Sequence, residues 1–463
     1  MTNRSPPPGT AEHVTLREAT RVWAKIGWLG FGGPAGQIAL MHRELVERRR
    51  WISDERFLHA LSYCMLLPGP EAQQLAIYIG WLMHRMRGGV IAGALFVLPG
   101  MIVIGALSWI YATYQHLPVV TAIFFGLKAA VLAVVVEAVL RVGRRALKNR
   151  LMIGIAMAAF VALYLFKLPF PLVIIGAASI GVVGRYRWPA SFPAPASADA
   201  LAQGDYLIDR RIVRGELTHT SRSLRRSIGV GAACLALWVA PVFAVAAIFG
   251  GSSLFVQQGL FFGEAALVTF GGAYAVLAYV AQRAVESFHW LSAGEMLDGL
   301  ALAETTPGPL IMVVQYVAFI AAFRHPGDLS PYASGVIGAL LTTWVTFVPC
   351  FLWIFLGAPY VEALRSHRAL NAALSAITAA VVGVILNLSV WFAVHTVFHS
   401  VQQEIWGPMR IDVPALQSVD LAALMLTAGS LVAMLRFRIG MGWTLLASAS
   451  LGAAWMFLRG YAD

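Results

Sequence analysis

Val90–Trp109 reads VIAGALFVLPGMIVIGALSW, a run of apolar and small residues without a charge. A hydrocarbon core about 30 Å thick is crossed by about 20 such residues in helical form, so the stretch predicts a transmembrane helix. Val119–Val136, Ile228–Phe249, Val336–Leu356 and Leu421–Leu435 repeat the pattern with almost no charge. Transmembrane β-barrels alternate apolar and polar residues, which these runs do not. Composition agrees: 59% of the 463 residues are hydrophobic, 12% are charged, and mean hydropathy is +0.72. Soluble domains carry about 25% charged residues. The expected fold is an all-α, polytopic integral membrane protein.

The flanks narrow the class. Residues 1–20 are polar, contain Pro6-Pro7-Pro8 and lack an apolar core, so a cytoplasmic tail is expected there and not a cleavable signal peptide. Cys64, Cys234 and Cys350 are isolated in apolar settings and odd in number, which fits packing residues and neither disulfides nor a metal site. The net charge of +11 comes from basic residues in short loops beside apolar helices. That pattern encodes membrane orientation and predicts no nucleic-acid partner.

The chain also repeats itself. Shifted by 239 residues, Gly30-Phe31-Gly32-Gly33 falls on Thr269-Phe270-Gly271-Gly272, Trp51-Ile52-Ser53 on Trp290-Leu291-Ser292, and Pro68-Gly69-Pro70 on Pro307-Gly308-Pro309. From Phe31 to Pro70 no gap is needed and 13 of 40 positions are identical. An insertion around Arg324–Tyr332 moves the shift to 250, which places Pro99 on Pro349 and Ala129-Ala130-Val131 on Ala379-Ala380-Val381. The expected organisation is a polar N-terminus (1–20), a first repeat (21–185), a basic linker (186–227), a connecting helix (228–255) and a second repeat (256–463).

Positive charge favours the cytoplasmic side of short loops. The apolar stretch 151–184, interrupted by Pro169 and Pro171, reads as two short helices that return to the starting side. There the 185–226 segment carries eight Arg. With both ends of the first repeat inside, the single helix 228–249 starts the second repeat outside. The two repeats are therefore expected in inverted topology, with the N-terminus and linker cytoplasmic, as in many secondary transporters.

Within each repeat, Pro-Gly-Pro interrupts an apolar segment. Proline removes an amide donor and obstructs the preceding turn, and glycine lets the chain turn. The segment 56–84 is either a discontinuous spanning helix or a re-entrant hairpin. The Arg-rich loop His42–Arg56 favours the hairpin. Phe31-Gly32-Gly33-Pro34 is a similar candidate break. Broken backbone at membrane depth lines a cavity or is buried in protein, and helix N-termini exposed there attract anions. Kinking and close packing are the alternative role for the same residues.

Charged residues in apolar surroundings are the other candidates. Lys128 lies mid-helix, where a cation is costly; it either attracts an oxyanion directly or pairs with a carboxylate. Glu137, about 13 Å further along a helix, is a poor intrahelical partner. Glu264, opposite Lys25 in the repeat, and Glu304, before Thr305-Thr306-Pro307, are candidates to carry a coupling proton. Arg48-Arg49-Arg50 reads as a topology anchor. His59, His289 and His395 show no metal-ligand spacing.

The motifs Gly30-Phe31-Gly32-Gly33-Pro34, Trp51-Ile52-Ser53 with Phe57, and Leu67-Pro68-Gly69-Pro70 followed by Gln73 and Gln74, with echoes at Phe270-Gly271-Gly272 and Thr306-Pro307-Gly308-Pro309, resemble the chromate ion transporter (CHR) family of the long, two-domain type. The resemblance covers about 20–185 and 255–460. It implies a multi-pass plasma-membrane transporter of chromate, often giving resistance by efflux, with sulfate as the physical analogue. Ala273 departs from the pattern where the first repeat has Pro34, and Glu71 adds a carboxylate directly after Pro-Gly-Pro. Candidate substrate-binding residues are Gly32, Gly33, Pro68, Gly69, Pro70, Gln73, Gln74, Lys128, Gly271, Gly272, Thr305, Thr306, Pro307, Gly308 and Pro309. Expected partners are a tetrahedral oxyanion, the lipid bilayer and, in a homodimer, a second copy of the chain; no cofactor is expected. HExxH, GxSxG and Walker sequences are absent, so a transporter is expected and not a membrane-embedded enzyme.

Overall fold

The computed structural model describes residues 14–192, 206–217, 223–270, 272–360 and 368–460. Among these, seven helices are long and apolar enough to cross a membrane, and β-structure is confined to a short hairpin, β1 (Val401–Trp406) with β2 (Met409–Pro414), and an isolated bridge beside it. The chain is an all-α polytopic membrane protein.

The first repeat runs α1 (Leu16–Leu29), α2 (Gly33–His42), α3 (Asp54–Cys64), α4 (Glu71–Tyr114), α5 (Pro118–Ala146), α6 (Arg150–Tyr164) and α7 (Phe170–Arg187). A linker helix α8 (Leu207–Val213) and the apolar α9 (Leu224–Phe249) follow. The second repeat runs α10 (Leu254–Val268), α11 (Ala273–Ala281), α12 (Ala293–Thr305), α13 (Val313–Arg324), α14 (Pro331–Gly357), α15 (Arg368–Val397), the β-hairpin, α16 (Leu421–Leu435) and α17 (Met441–Gly460).

The irregularities of the backbone recur at the sequence spacing. A π-helical turn follows α2 at Arg43–Arg48 and α11 at Gln282–Ser287, 239 residues apart. Such turns are rare. Arg50 (φ 52°) and His289 (φ 51°), at the same spacing, both take the left-handed region, as do Gly69 (φ 116°) and Gly308 (φ 100°).

The Pro-Gly-Pro segments are the turns of two hairpins. In the first, α3 leads into the turn and the arm 71–83 leads out. That arm ends at His84 and Arg85, whose torsions are not helical. The chain then reverses, and a Cβ on Gly80 would stand 2.5 Å from the Gly88 carbonyl oxygen. Arms of about a dozen residues reach about 20 Å, short of a bilayer core. One helix also bridges the hairpin's two ends: α8 touches Arg50 and Trp51 before α3 and Met83 at the end of the arm. In the second hairpin, α12 and α13 flank the turn, and Arg324 at its end pairs with Glu295 at its start.

The repeats interlock. The α6–α7 pair closing the first repeat packs on α15 of the second, and the α16–α17 pair closing the second packs on α5 of the first. Gly126 on α5 allows this approach, since a Cβ there would stand 2.0 Å from the Ser448 carbonyl oxygen of α17.

Candidate functional site

Each Pro-Gly-Pro turn is held by the Phe-Gly loop of the other repeat. Gly69 N–H donates to the Thr269 carbonyl at 2.8 Å, and Gly308 N–H donates to the Gly30 carbonyl at 3.1 Å. Gly30 and Thr269 are themselves counterparts in the repeat, so the exchange is reciprocal, the pattern of a two-fold relation. Gln37 Nε2 bridges the second junction, donating to Gly30 O at 3.2 Å and to Gly308 O at 2.5 Å. The glycine amides at the two turns are thus committed to the protein, which corrects the expectation that they face an anion.

The neighbouring candidates divide. Pro68 O accepts from Gln74 Nε2 at 2.7 Å, and Pro70 N-caps the following helical arm. Gln73 is fully buried, and its side-chain amide has no hydrogen-bond partner among the described residues. Thr305 donates to the carbonyls of Ala301 and Leu302 at 3.0 Å, and Thr306 to Ala303 at 3.3 Å, so both hydroxyls close the end of α12. Pro307 and Pro309 flank Gly308; the Pro307 carbonyl would stand 2.8 Å from a Cβ on Gly100. A Cβ on Gly272 would approach Glu71 Oε1 to 3.7 Å, which puts that carboxylate at the start of α11. Gly271 lies outside the described residues.

Beside these breaks is a polar cavity of about 310 Å³, where Gly32, Gly33 and Pro34 at the start of α2 meet Glu137 and Arg141 of α5, Tyr274 of α11, Glu304 of α12, and Arg438 and Gly440 before α17. Gly32 (φ 86°) and Gly33 (φ 63°) take left-handed torsions that bring the α2 N-terminus to the cavity wall. Glu304 is buried and accepts from Tyr274 Oη at 2.6 Å. Arg141 Nη2 donates to Glu137 at 2.5 Å. Two guanidinium groups, a helix N-terminus and two carboxylates therefore share one cavity, an arrangement able to take an anion together with a proton. The sequence reading placed Gly32, Gly33 and Glu304 here. It read Arg141 and Arg438 only as orienting loop charge, weighed Glu137 only as a partner for Lys128, and passed over Tyr274. The Glu137–Arg141 spacing of four on one helix was the available signal.

Lys128 stands elsewhere. It pairs with Asp298 at 3.3 Å, a buried carboxylate that also accepts from Tyr111 Oη at 2.7 Å. Of the two sequence-derived roles for Lys128, the structure displays the carboxylate pair. Asp298 lies inside α12. Glu264 lies in a separate cavity of about 260 Å³ with Lys167, Gln282 and Arg283, and accepts from Tyr279 Oη at 3.1 Å. At the equivalent place in the first repeat the charges are exchanged: Lys25 pairs with Glu44 at 3.0 Å, and Arg48 and Arg49 join it. Burial alone would raise the Glu44 carboxyl, but bonds from Lys25 and Arg49 outweigh it and hold the group at about 2. No group of His, Cys, Asp and Glu among the described residues is placed to hold a metal ion.

A family model described as chromate transporter matches residues 17–182 and 256–453. The chromate transport protein of Pseudomonas aeruginosa is 32% identical over 391 residues, covering 83% of this chain and 81% of that protein. The chromate transport protein of Cupriavidus metallidurans is 27% identical over 378 residues, 81% of this chain and 82% of that protein. An uncharacterized transporter of Methanocaldococcus jannaschii is 23% identical over 375 residues, 80% and 82% of the two chains. No solved structure matches.

Proposed function

From the chain's membership of the chromate transporter family, we propose that it carries chromate across the plasma membrane, outward from the cytoplasm, and so gives chromate resistance. The observation that carries the reading is the cavity where Arg141, Arg438 and the α2 N-terminus gather cationic character beside the helix breaks. In such a low-dielectric space a dianion meets weakly screened positive charge and a helix N-terminus suited to oxyanions. Gly32, Gly33, Arg141 and Arg438 form the proposed binding group. Glu304, held by Tyr274 across the same space, takes the coupling proton. Pro68-Gly69-Pro70 and Pro307-Gly308-Pro309 act as joints between the repeats.

The two hairpins are read as re-entrant from opposite faces, with the repeats 21–185 and 256–463 inverted about α9 and the linker cytoplasmic. The reciprocal bonds of Gly69 and Gly308 support this arrangement. A cysteine near Gly204 should then be shielded from impermeant reagents on whole cells, and one at Gly327 labelled. Equal labelling at both removes the inversion.

Radiolabelled chromate uptake into inverted membrane vesicles tests the function. We expect uptake that responds to an imposed pH gradient and falls with sulfate as competitor, because sulfate shares the charge and shape. Vesicles with the protein that take up no more chromate than vesicles without it overturn the proposal.

A further inference from the structure

The starts of the two hairpins are capped by different parts of the chain. In the second repeat the cap is local. Ser292 Oγ accepts from Glu295 N–H at 3.2 Å, and Glu295 Oε2 accepts from Ser292 N–H at 2.8 Å, a complete capping box. Glu295 also pairs with Arg324, so one carboxylate ties the hairpin's start to its end.

The first repeat lacks that carboxylate. Ser53 is the matching N-cap, but Arg56 stands where Glu295 stands. The missing group comes from the linker, 156 residues away: Asp209 Oδ2 accepts from Ser53 N–H at 3.1 Å and Oδ1 from Arg56 Nε at 2.6 Å. Asp209 is buried, and so are Leu207 and Ile208 beside it. Their amides donate to the Arg50 and Trp51 carbonyls at 3.1 and 2.9 Å. At the hairpin's other end, Arg211 Nη1 donates to the Met83 carbonyl at 2.9 Å.

We propose that α8 is a clamp on the first hairpin, in which Asp209 and Arg211 are positioning residues that set the rate at which this hairpin moves during transport. The linker thus does for one repeat what Glu295 and Arg324 do for the other, and what happens to the linker on the cytoplasmic side reaches the Pro68-Gly69-Pro70 joint. The rate claim rests on the transport reading; the docking claim does not.

The test exchanges one cap for the other. Asp209→Ala leaves Arg56 and the Ser53 amide without a partner. It should lower maximal flux about tenfold with apparent KM unchanged, as for a conformational step. Arg56→Glu alone sets two carboxylates together and should do the same. Arg56→Glu with Asp209→Ala rebuilds in the first repeat the capping box of the second and should recover most of the flux. Flux is normalised to folded protein by size exclusion, and Asp209→Asn, which keeps an acceptor for Ser53, gives an intermediate loss if the alanine variant folds poorly. Hydrogen exchange at Leu207 and Ile208 on purified protein reads docking without substrate: it should be slow in the wild type and faster in Asp209→Ala. Unchanged flux in Asp209→Ala, or a double variant no better than the singles, overturns the rate claim. Fast exchange in the wild type overturns the docking. A wild type that carries no chromate, with slow exchange intact, sinks the transport reading and leaves the clamp standing.

Discussion

The two hairpins share a backbone and differ in their charges. Both turn on Pro-Gly-Pro with a left-handed glycine, both are preceded by a π-helical turn and a left-handed residue, and each glycine amide is taken by the other repeat. Yet position by position the ionisable groups are exchanged or missing: Arg56 against Glu295, Met65 against Glu304, Glu71 against Leu310, His59 against Asp298. Torsions demanded by Gly and Pro tolerate few substitutes. A charge can be moved if its partner moves with it. Duplication kept the hinge geometry twice and left the chemistry single.

The sharpest test of that likeness is at the glycines. Gly308 and Gly69 have similar torsions, but a Cβ on Gly308 would stand 2.9 Å from the Gly100 Cα, whereas one on Gly69 would meet Cys350 Sγ and Gln74 Nε2, also at 2.9 Å. Backbone cannot give way as side-chain ends can. Both substitutions carry backbone strain of about 1–3 kcal/mol, and Gly308→Ala adds a clash that has no relief. We expect Gly308→Ala to abolish chromate flux and Gly69→Ala to retain part of it. Cys350→Gly, which gives the second repeat the residue of the first, should restore more. Equal loss in both alanine variants breaks the distinction.

The next effect is at Lys128, whose counterpart is Thr378. Lys128→Ala strands the buried Asp298 carboxylate, and breaking a buried pair costs about 3–5 kcal/mol. The variant should show a lower unfolding temperature in micelles and a smaller folded yield. Adding Asp298→Asn, which keeps an acceptor for Tyr111, should recover most of the loss, and Thr378→Ala should change little. If the surviving Lys128→Ala protein is stable but has lost affinity for chromate, Lys128 belongs to the binding site after all.

Glu304 gives a functional contrast with Met65. Glu304→Gln keeps the acceptor for Tyr274 but cannot release a proton. Flux driven by a pH gradient should fall about tenfold or more, while Met65→Leu leaves it intact. Flux in Glu304→Gln that still follows the gradient moves the coupling role elsewhere.

The smallest effect compares the clusters Lys25–Glu44 and Glu264–Tyr279. The Glu44 carboxyl lies at about 2 in the fold, below its ordinary 4.5. Its stabilisation is therefore complete above 4.5 and is lost as pH falls from there toward 2. The unfolding temperatures of wild type and Glu44→Gln should differ most at pH 6, differ less as pH falls below 4.5, and converge only below about pH 2. A constant difference across that range removes the ionic part of the argument.

The helix breaks are legible in the sequence. Pro68-Gly69-Pro70 and its copy announce a break by residue type alone, and helices do end and restart on either side of both triplets. Gly32, Gly33 and Glu304 were singled out and do share a cavity. Lys128 stands out in the sequence for its setting, but its partner Asp298 does not, because the two are far apart along the chain and only the fold brings them to 3.3 Å. Arg211 counts in the sequence only as linker charge, and Asp209 is not singled out at all.

Sequence alone therefore determined what is local and covalent: which segments are too apolar for water, where the chain cannot continue as a helix, and that the plan occurs twice. Each follows from side-chain transfer energy or backbone torsion, quantities a residue carries with its near neighbours. Tertiary structure decided which charge meets which. Lys128 reaches Asp298, Asp209 reaches Ser53, and Arg141 joins Arg438 and Glu304, across separations of 156 residues or more along the chain. A Coulombic or hydrogen-bonded contact depends on distance in space, and here that distance is set by how the two repeats and the linker helix pack, which no window of sequence contains.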